Sequence, residues 1–203
     1  RNLAALSEPL AVCVRGVRLG NVGYRGTVAV IGAGSIGLLC IPAALAAGAK
    51  EVFITARHSQ QAELAYHLGA TRVFDSTEAL LDGLGDGYAA TVIETVGGTA
   101  DTLLDAATIA APGATIVKLG IFTGNTPIPS IVFFNKELTL VASNCYAFDG
   151  QQSDFAYTQE LLTELGEKLE PLITHKFALD QVNEAFATAL DKTTGSIKVQ
   201  ISP

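Results

Sequence analysis

This 203-residue chain predicts an α/β fold: a doubly wound, six-stranded parallel sheet with helices on both faces. Three observations carry that expectation. Short β-branched runs alternate with helical stretches over residues 27–142. The first run leads straight into Gly32-Ala33-Gly34-Ser35-Ile36-Gly37, a GxGxxG turn. Apolar residues make up 49% of the chain, enough for a sizeable core.

Thr27–Ile31 reads as a buried parallel strand, uniformly apolar after its first residue. In the turn that follows, Gly32 allows the sharp exit from the strand, and Gly34 lets a diphosphate lie against bare backbone. Gly37 lets the next helix pack closely on the sheet. The N-terminus of that helix offers unpaired N–H groups and a partial positive charge. The pattern fits a dinucleotide-binding (Rossmann) turn better than a purely structural one. The helix is read over residues 38–47, where Pro42 removes a hydrogen bond and predicts a kink.

A second strand follows at residues 51–55, then a helix over 60–68 closed by Gly69. Further strands are read at 71–74 and 90–95, a helix at 102–110 and a turn at Pro112-Gly113. Strands at 114–119 and 138–142 complete the set, and Gly83 to Gly87 reads as a surface loop. Six strands with the glycine turn after the first imply the order 3-2-1-4-5-6. After Asn144 the character changes to an amphipathic helix at 155–165 and a strand at 171–177. A helix at 180–190, with Asp180 as its N-cap, and a strand at 197–201 end the chain.

Ligands of this topology lie beyond the C-terminal ends of the strands, where strand order reverses. The glycine turn meets two other segments there: Thr95-Val96-Gly97, and Leu119-Gly120-Ile121. The glycines at 97 and 120 suggest room for a flat ring, or ordinary turns. Strand two ends in Ala56-Arg57-His58, where an NAD site usually places a carboxylate for the ribose 2′-hydroxyl. Arg57 instead suits a 2′-phosphate, with His58 and Gln61 as helpers, and NADP(H) is expected over NAD(H).

The formal net charge is −7 with no basic cluster, which argues against nucleic acid and anionic membrane surfaces. Cys13, Cys40 and Cys145 form neither a disulfide framework nor a CxxC metal motif, so a reducing cytoplasm is the default. Residues 26–49 carry no charge, but their glycines, Pro42 and strand-turn-helix reading oppose a membrane span. No secretory signal is visible. Arg1 at the start and the lack of any Met lead us to expect a piece of a longer chain.

Several segments together resemble the medium-chain, zinc-dependent alcohol and polyol dehydrogenases. They are Ser7-Glu8-Pro9-Leu10-Ala11-Val12, the Gly32 turn, Gly48-Ala49, Leu68-Gly69-Ala70 and Pro112-Gly113. The closing run adds Pro171-Leu172-Ile173, Asn183-Glu184-Ala185-Phe186 and Ser196-Ile197-Lys198. The resemblance implies a separate catalytic lobe carrying zinc, with residues 1–10 as its remnant. Residues 11–146 would be the dinucleotide-binding domain, and 147–203 a segment returning to that lobe. Glu8 would sit beside the zinc, or be a surface residue before a proline.

By the same resemblance Ile36 would pack behind the nicotinamide and Lys198 reach the phosphates, unless it is a solvated lysine. Cys145 would line the nicotinamide pocket, or be a buried, inert thiol. The implied chemistry is zinc-assisted hydride transfer between an alcohol or polyol and the nicotinamide. With the catalytic lobe missing, cofactor binding without turnover is expected. Pairing of sixth strands would give a dimer or tetramer. Other readings are a zinc-free quinone or enoyl reductase and a stand-alone nucleotide-binding module. A short-chain dehydrogenase is disfavoured because no Tyr is followed four residues later by Lys. A methyltransferase would want an acid where Ala56 and Arg57 stand.

Overall fold

The computed structural model describes residues 2–24 and 26–202. Arg1 and Pro203, the outer ends of the expected 1–10 and 147–203 segments, lie outside the described residues. Six strands form one parallel sheet: β1 (Thr27–Ile31), β2 (Glu51–Thr55), β3 (Arg72–Phe74), β4 (Ala89–Glu94), β5 (Ala110–Lys118) and β6 (Thr139–Ala142). Their order is β3-β2-β1-β4-β5-β6, the order expected, and every pairing is parallel.

Strand geometry explains the two-sided core. Successive side chains point to opposite faces, so Val28 and Val30 join one cluster while Ala29 and Ile31 join the other. Val52 and Ile54 likewise face away from Phe53, and Ile93 from Val92. A strand buried on both faces must be apolar at every position, which is why these strands read as continuous hydrophobic runs.

One face is covered by α1 (Ser7–Leu19), α2 (Ser35–Ala46), α3 (Ser59–Leu68) and α7 (Asp154–Leu169). The other carries α4 (Thr77–Leu84), α5 (Thr102–Ile109) and α6 (Ser130–Lys136). Helix α2 is apolar nearly all round, as a helix enclosed by others must be; Leu38, Leu39, Cys40 and Ile41 are all fully buried. It runs as one helix with Pro42 inside. No helix among the described residues is long and apolar enough to cross a membrane.

Several elements differ from the sequence reading. Helix α1 was not anticipated and runs across residue 10, with Leu6 and Leu10 fully buried in the core. Its Gly16 weakens the helical signal, yet a Cβ there would come within 2.9 Å of the Leu119 side chain. Helix α4 was also missed; it takes in Gly83 and Leu84 and is capped by Ser76, whose Oγ accepts from Ala79 N at 3.1 Å. Helix α6 is the third unanticipated helix.

Pro112-Gly113 is an irregularity inside β5 rather than a turn before it. The register passes from Ala89↔Ala110 to Thr91↔Thr115, and Gly113 takes up the slack at φ +76°. Asp180 is not the cap of the last helix: it lies in a 3₁₀ turn, and α8 (Val182–Leu190) starts two residues later. There Gln181 supplies the cap-like contact, its Oε1 accepting from Ala178 N at 3.1 Å.

The C-terminal segment does two things. Helix α7 lies on α1, and Leu161, Leu162 and Leu169 belong to the same core as the sheet. The salt bridges from Arg18 to Asp154 (2.8 Å) and Asp149 (2.6 Å) fix that contact. Beyond it, β7 (Ile173–Ala178) and β8 (Lys198–Ser202) pair in parallel as a separate two-stranded sheet, with α8 packed on both.

Candidate dinucleotide site

Hydrogen bonds from neighbouring strands hold the glycine turn from both sides. Gly32 takes φ +97°, a conformation that favours glycine. Its N–H donates to Thr55 Oγ1 at the end of β2 (2.9 Å). Beyond β4, the Thr95 hydroxyl donates to Ile31 O at 2.8 Å, with Gly32 O at 3.2 Å. A Cβ on Gly37 would collide with Gly32 O, so the third glycine is a condition for closing α2 onto the turn.

Gly34 is the opposite case. It is exposed, and a Cβ there would meet nothing within 4 Å. The first backbone bond into α2 is Leu38 N to Gly34 O at 2.9 Å. The N–H groups of Ser35, Ile36 and Gly37 therefore have no intrahelical partner. Open space over bare backbone, faced by free N–H donors and a helix N-terminus, fits a diphosphate.

A cleft of about 480 Å³ runs from this turn along the ends of β2 and β3. Gly32, Thr55, Arg57, His58, Gln61 and Val96 line it. Ala56 is buried, its N–H bound to Phe74 O at 2.7 Å, which aims Arg57 and His58 outward. Arg57 is exposed and makes no ion pair among the described residues. Four acids, Asp75, Glu78, Asp101 and Asp105, also line this cleft. Burial pushes the Asp105 carboxyl above its ordinary range; a hydrogen bond with Thr77 opposes this, and Glu78 and Asp101 add to it. These acids and Thr55 were not recognised in the sequence.

At the switch point the structure brings Thr95, Val96, Leu119, Gly120 and Ile121 together beneath the fully buried Glu94. The glycines there do not leave space for a ring. A Cβ on Gly97 would lie 2.5 Å from Ile121 N, and one on Gly120 would strike Glu94 Oε2. Each glycine makes room for the other loop. Glu94 was missed too, and its signal was a charged residue ending an apolar strand.

The remaining candidates are scattered by role. Ile36 is half-buried, and its carbonyl accepts from Cys13 Sγ at 3.2 Å. Ser35 Oγ donates to Ile197 O at 2.6 Å, which ties the start of β8 to the turn and brings Lys198 within one residue of it. Cys145 is exposed, with φ +54°, and the buried-thiol alternative does not hold. Glu8 is exposed in the first turn of α1. Among the described residues no group of three His, Cys, Asp or Glu side chains could hold a metal ion. These residues do not fit a zinc site by themselves, since zinc needs three or four protein ligands.

The fold and the glycine turn define a Rossmann-type α/β lobe. Residues 35–164 match the zinc-binding dehydrogenase family, and the chain belongs to that family. It is 33% identical to D-xylulose reductase of Scheffersomyces stipitis over 91% of this chain and 53% of that protein. It is 32% identical to sorbitol dehydrogenase 1 of Saccharomyces cerevisiae over 90% of this chain and 53% of that one. The chain thus spans about half the length of the curated relatives it matches. A protein of Sinorhizobium meliloti 1021, classed as a zinc-binding dehydrogenase and solved bound to NADP, superposes with a TM-score of 0.85 at 27% identity. That match covers 97% of this chain and 58% of the other.

Proposed function

We propose that this chain is the cofactor-binding part of an oxidoreductase that moves hydride between an alcohol or polyol and NADP(H). The observation that carries the cofactor preference is Arg57. It stands at the end of β2 where a ribose-binding carboxylate would otherwise be, lines the cleft, and makes no ion pair among the described residues. A guanidinium there offers a charge-assisted contact to a 2′-phosphate, worth roughly 1.5–3 kcal/mol. The NADP bound to the Sinorhizobium protein supports the same reading. The polyol class rests on the relatives named D-xylulose reductase and sorbitol dehydrogenase.

When bound, the nicotinamide supplies the hydride chemistry. The chain's own residues bind and orient it. Gly34 leaves backbone bare for the diphosphate, and the N–H groups of Ser35, Ile36 and Gly37 meet it. Lys198, near the turn, adds charge, while His58 and Gln61 assist Arg57. Ile36, Val96, Leu119, Gly120, Ile121 and Cys145 belong to the nicotinamide end. Glu8 would contribute at most one ligand to a zinc whose other ligands lie elsewhere, so no catalytic step is assigned to the metal here.

On this reading the 203 residues bind cofactor without turning over alcohol, and residues 147–203 contribute to contact with a catalytic lobe. β6 ends the strand order, and its outer edge is the proposed pairing surface for a second copy. The free cysteines suit a reducing cytoplasm.

Calorimetric titration with NADPH and then NADH tests the proposal. Binding of NADPH at least about tenfold tighter supports the Arg57 site. Equal or NADH-favoured binding overturns the NADP assignment, and zinc-dependent alcohol oxidation by this chain alone overturns the division of labour.

A further inference from the structure

Glu94 is fully buried at the C-terminal end of β4, and two of its three oxygens, the backbone carbonyl and one carboxyl oxygen, are heavily hydrogen-bonded. Side-chain Oε1 accepts from Val96 N (2.8 Å), Gly97 N (2.9 Å) and Thr102 Oγ1 (2.9 Å). Its backbone carbonyl accepts from Leu119 N (2.9 Å) and Gly120 N (3.0 Å). One residue therefore ties the loop after β4 to the loop after β5. The loops are also bonded to each other, Gly98 N to Ile121 O at 2.7 Å and Thr123 N to Gly98 O at 3.0 Å. The other carboxyl oxygen, Oε2, is buried against Gly120 with no hydrogen-bond partner among the described residues.

A buried carboxyl group is an expensive way to hold two surface loops unless their exact placement matters. What the loops present outward is apolar: Val96 is 45% exposed and Ile121 is 83% exposed. Two exposed branched side chains on a locked backbone, beside the strand-order reversal, make a rigid apolar platform suited to a flat ring.

We propose that Glu94 is a positioning residue that holds Val96 and Ile121 as the floor for the nicotinamide end of the dinucleotide. This rests on the dinucleotide reading above. Glu94 does not touch the cofactor; it acts through the two loops. The adenosine end, on the far side of the glycine turn at Arg57, is outside its reach.

The test compares two ligands on three proteins. NADPH and a truncated half-ligand, 2′-phospho-ADP-ribose, which lacks only the nicotinamide ring, are titrated by calorimetry into wild type, Glu94→Ala and Glu94→Gln. In Glu94→Ala, NADPH affinity falls at least about tenfold while the half-ligand binds unchanged. Glu94→Gln restores most of the NADPH affinity, because an amide oxygen accepts the same three hydrogen bonds. Amide exchange at Val96 and Gly97 speeds up in the alanine variant, without ligand.

A merely structural role would weaken both ligands together, and that result overturns the proposal. Wild type binding NADPH no better than the half-ligand also overturns it, as does unchanged NADPH binding in both variants. Wild type binding neither ligand instead refutes the dinucleotide reading itself. Should Glu94→Ala not fold, the comparison is made on Glu94→Asp, whose shorter side chain keeps the carboxylate but does not reach the same three donors, so NADPH must weaken by more than the half-ligand.

Discussion

The β2 rim and the switch point, on either side of the glycine turn, are built on opposite plans. At the β2 rim, Arg57 and His58 are exposed and Arg57 makes no ion pair among the described residues. At the switch point, Glu94 is buried and bonded to two loops whose glycines leave no space between them. The rim can change its residues without disturbing the fold, so it is suited to choosing between cofactors. The switch point cannot, so it is suited to holding one geometry. The glycine turn between them contains both plans within four residues: Gly37 is closed in by Gly32 O, and Gly34 faces open space.

The largest expected effect tests the closed plan. Gly37→Ala forces a Cβ into a backbone carbonyl and should cost about 3 kcal/mol or more. For a chain of this size that is a fall in Tm of roughly 6–12 °C, read by thermal denaturation. A variant melting with wild type would show that α2 can shift away from the turn.

The open plan predicts binding effects without stability effects. Arg57→Ala should weaken NADPH by roughly ten- to a hundredfold, leave NADH nearly unchanged, and leave the Tm where it was. Equal losses for both nucleotides would remove the 2′-phosphate from the argument. Gly34→Ala should melt with wild type, because its Cβ meets nothing, yet bind either nucleotide at least about tenfold more weakly. Undiminished binding would mean that the diphosphate does not lie over Gly34.

The smallest effect concerns the acids of the cleft. Burial raises the Asp105 pKa in the fold, so the protonated form is the one folding favours. That contribution is complete below the unfolded carboxyl's pKa and is lost as pH rises through the raised folded value. Asp105→Asn, which mimics the protonated form, should therefore match wild type in acid and be slightly more stable at neutral pH. Melting curves across that range check it; a variant less stable at neutral pH would reverse the sign.

Much of this was legible in the sequence because its causes are local. Strand order followed from the alternation and from the place of Gly32, and Gly69 closed α3 in the left-handed conformation, φ +107°. Arg57 could be found because a short turn after β2 puts it at the rim whatever the rest of the chain does. The helices that escaped notice have causes elsewhere. Gly16 in α1 is there because Leu119, over a hundred residues away, presses on that helix. Gly83 in α4 is there because a Cβ would come 2.6 Å from the Phe74 ring.

Sequence alone thus determined the fold class, the glycine turn and the residue at the β2 rim. Each depends on contacts within a few residues of the motif. Only the tertiary structure decided what Gly97, Gly120 and Glu94 are for. All three lie in the gap between loops more than twenty residues apart, and such a gap leaves no periodic mark on a chain. The same holds for Ser35, whose hydroxyl donates to the carbonyl of Ile197, 162 residues further along the chain.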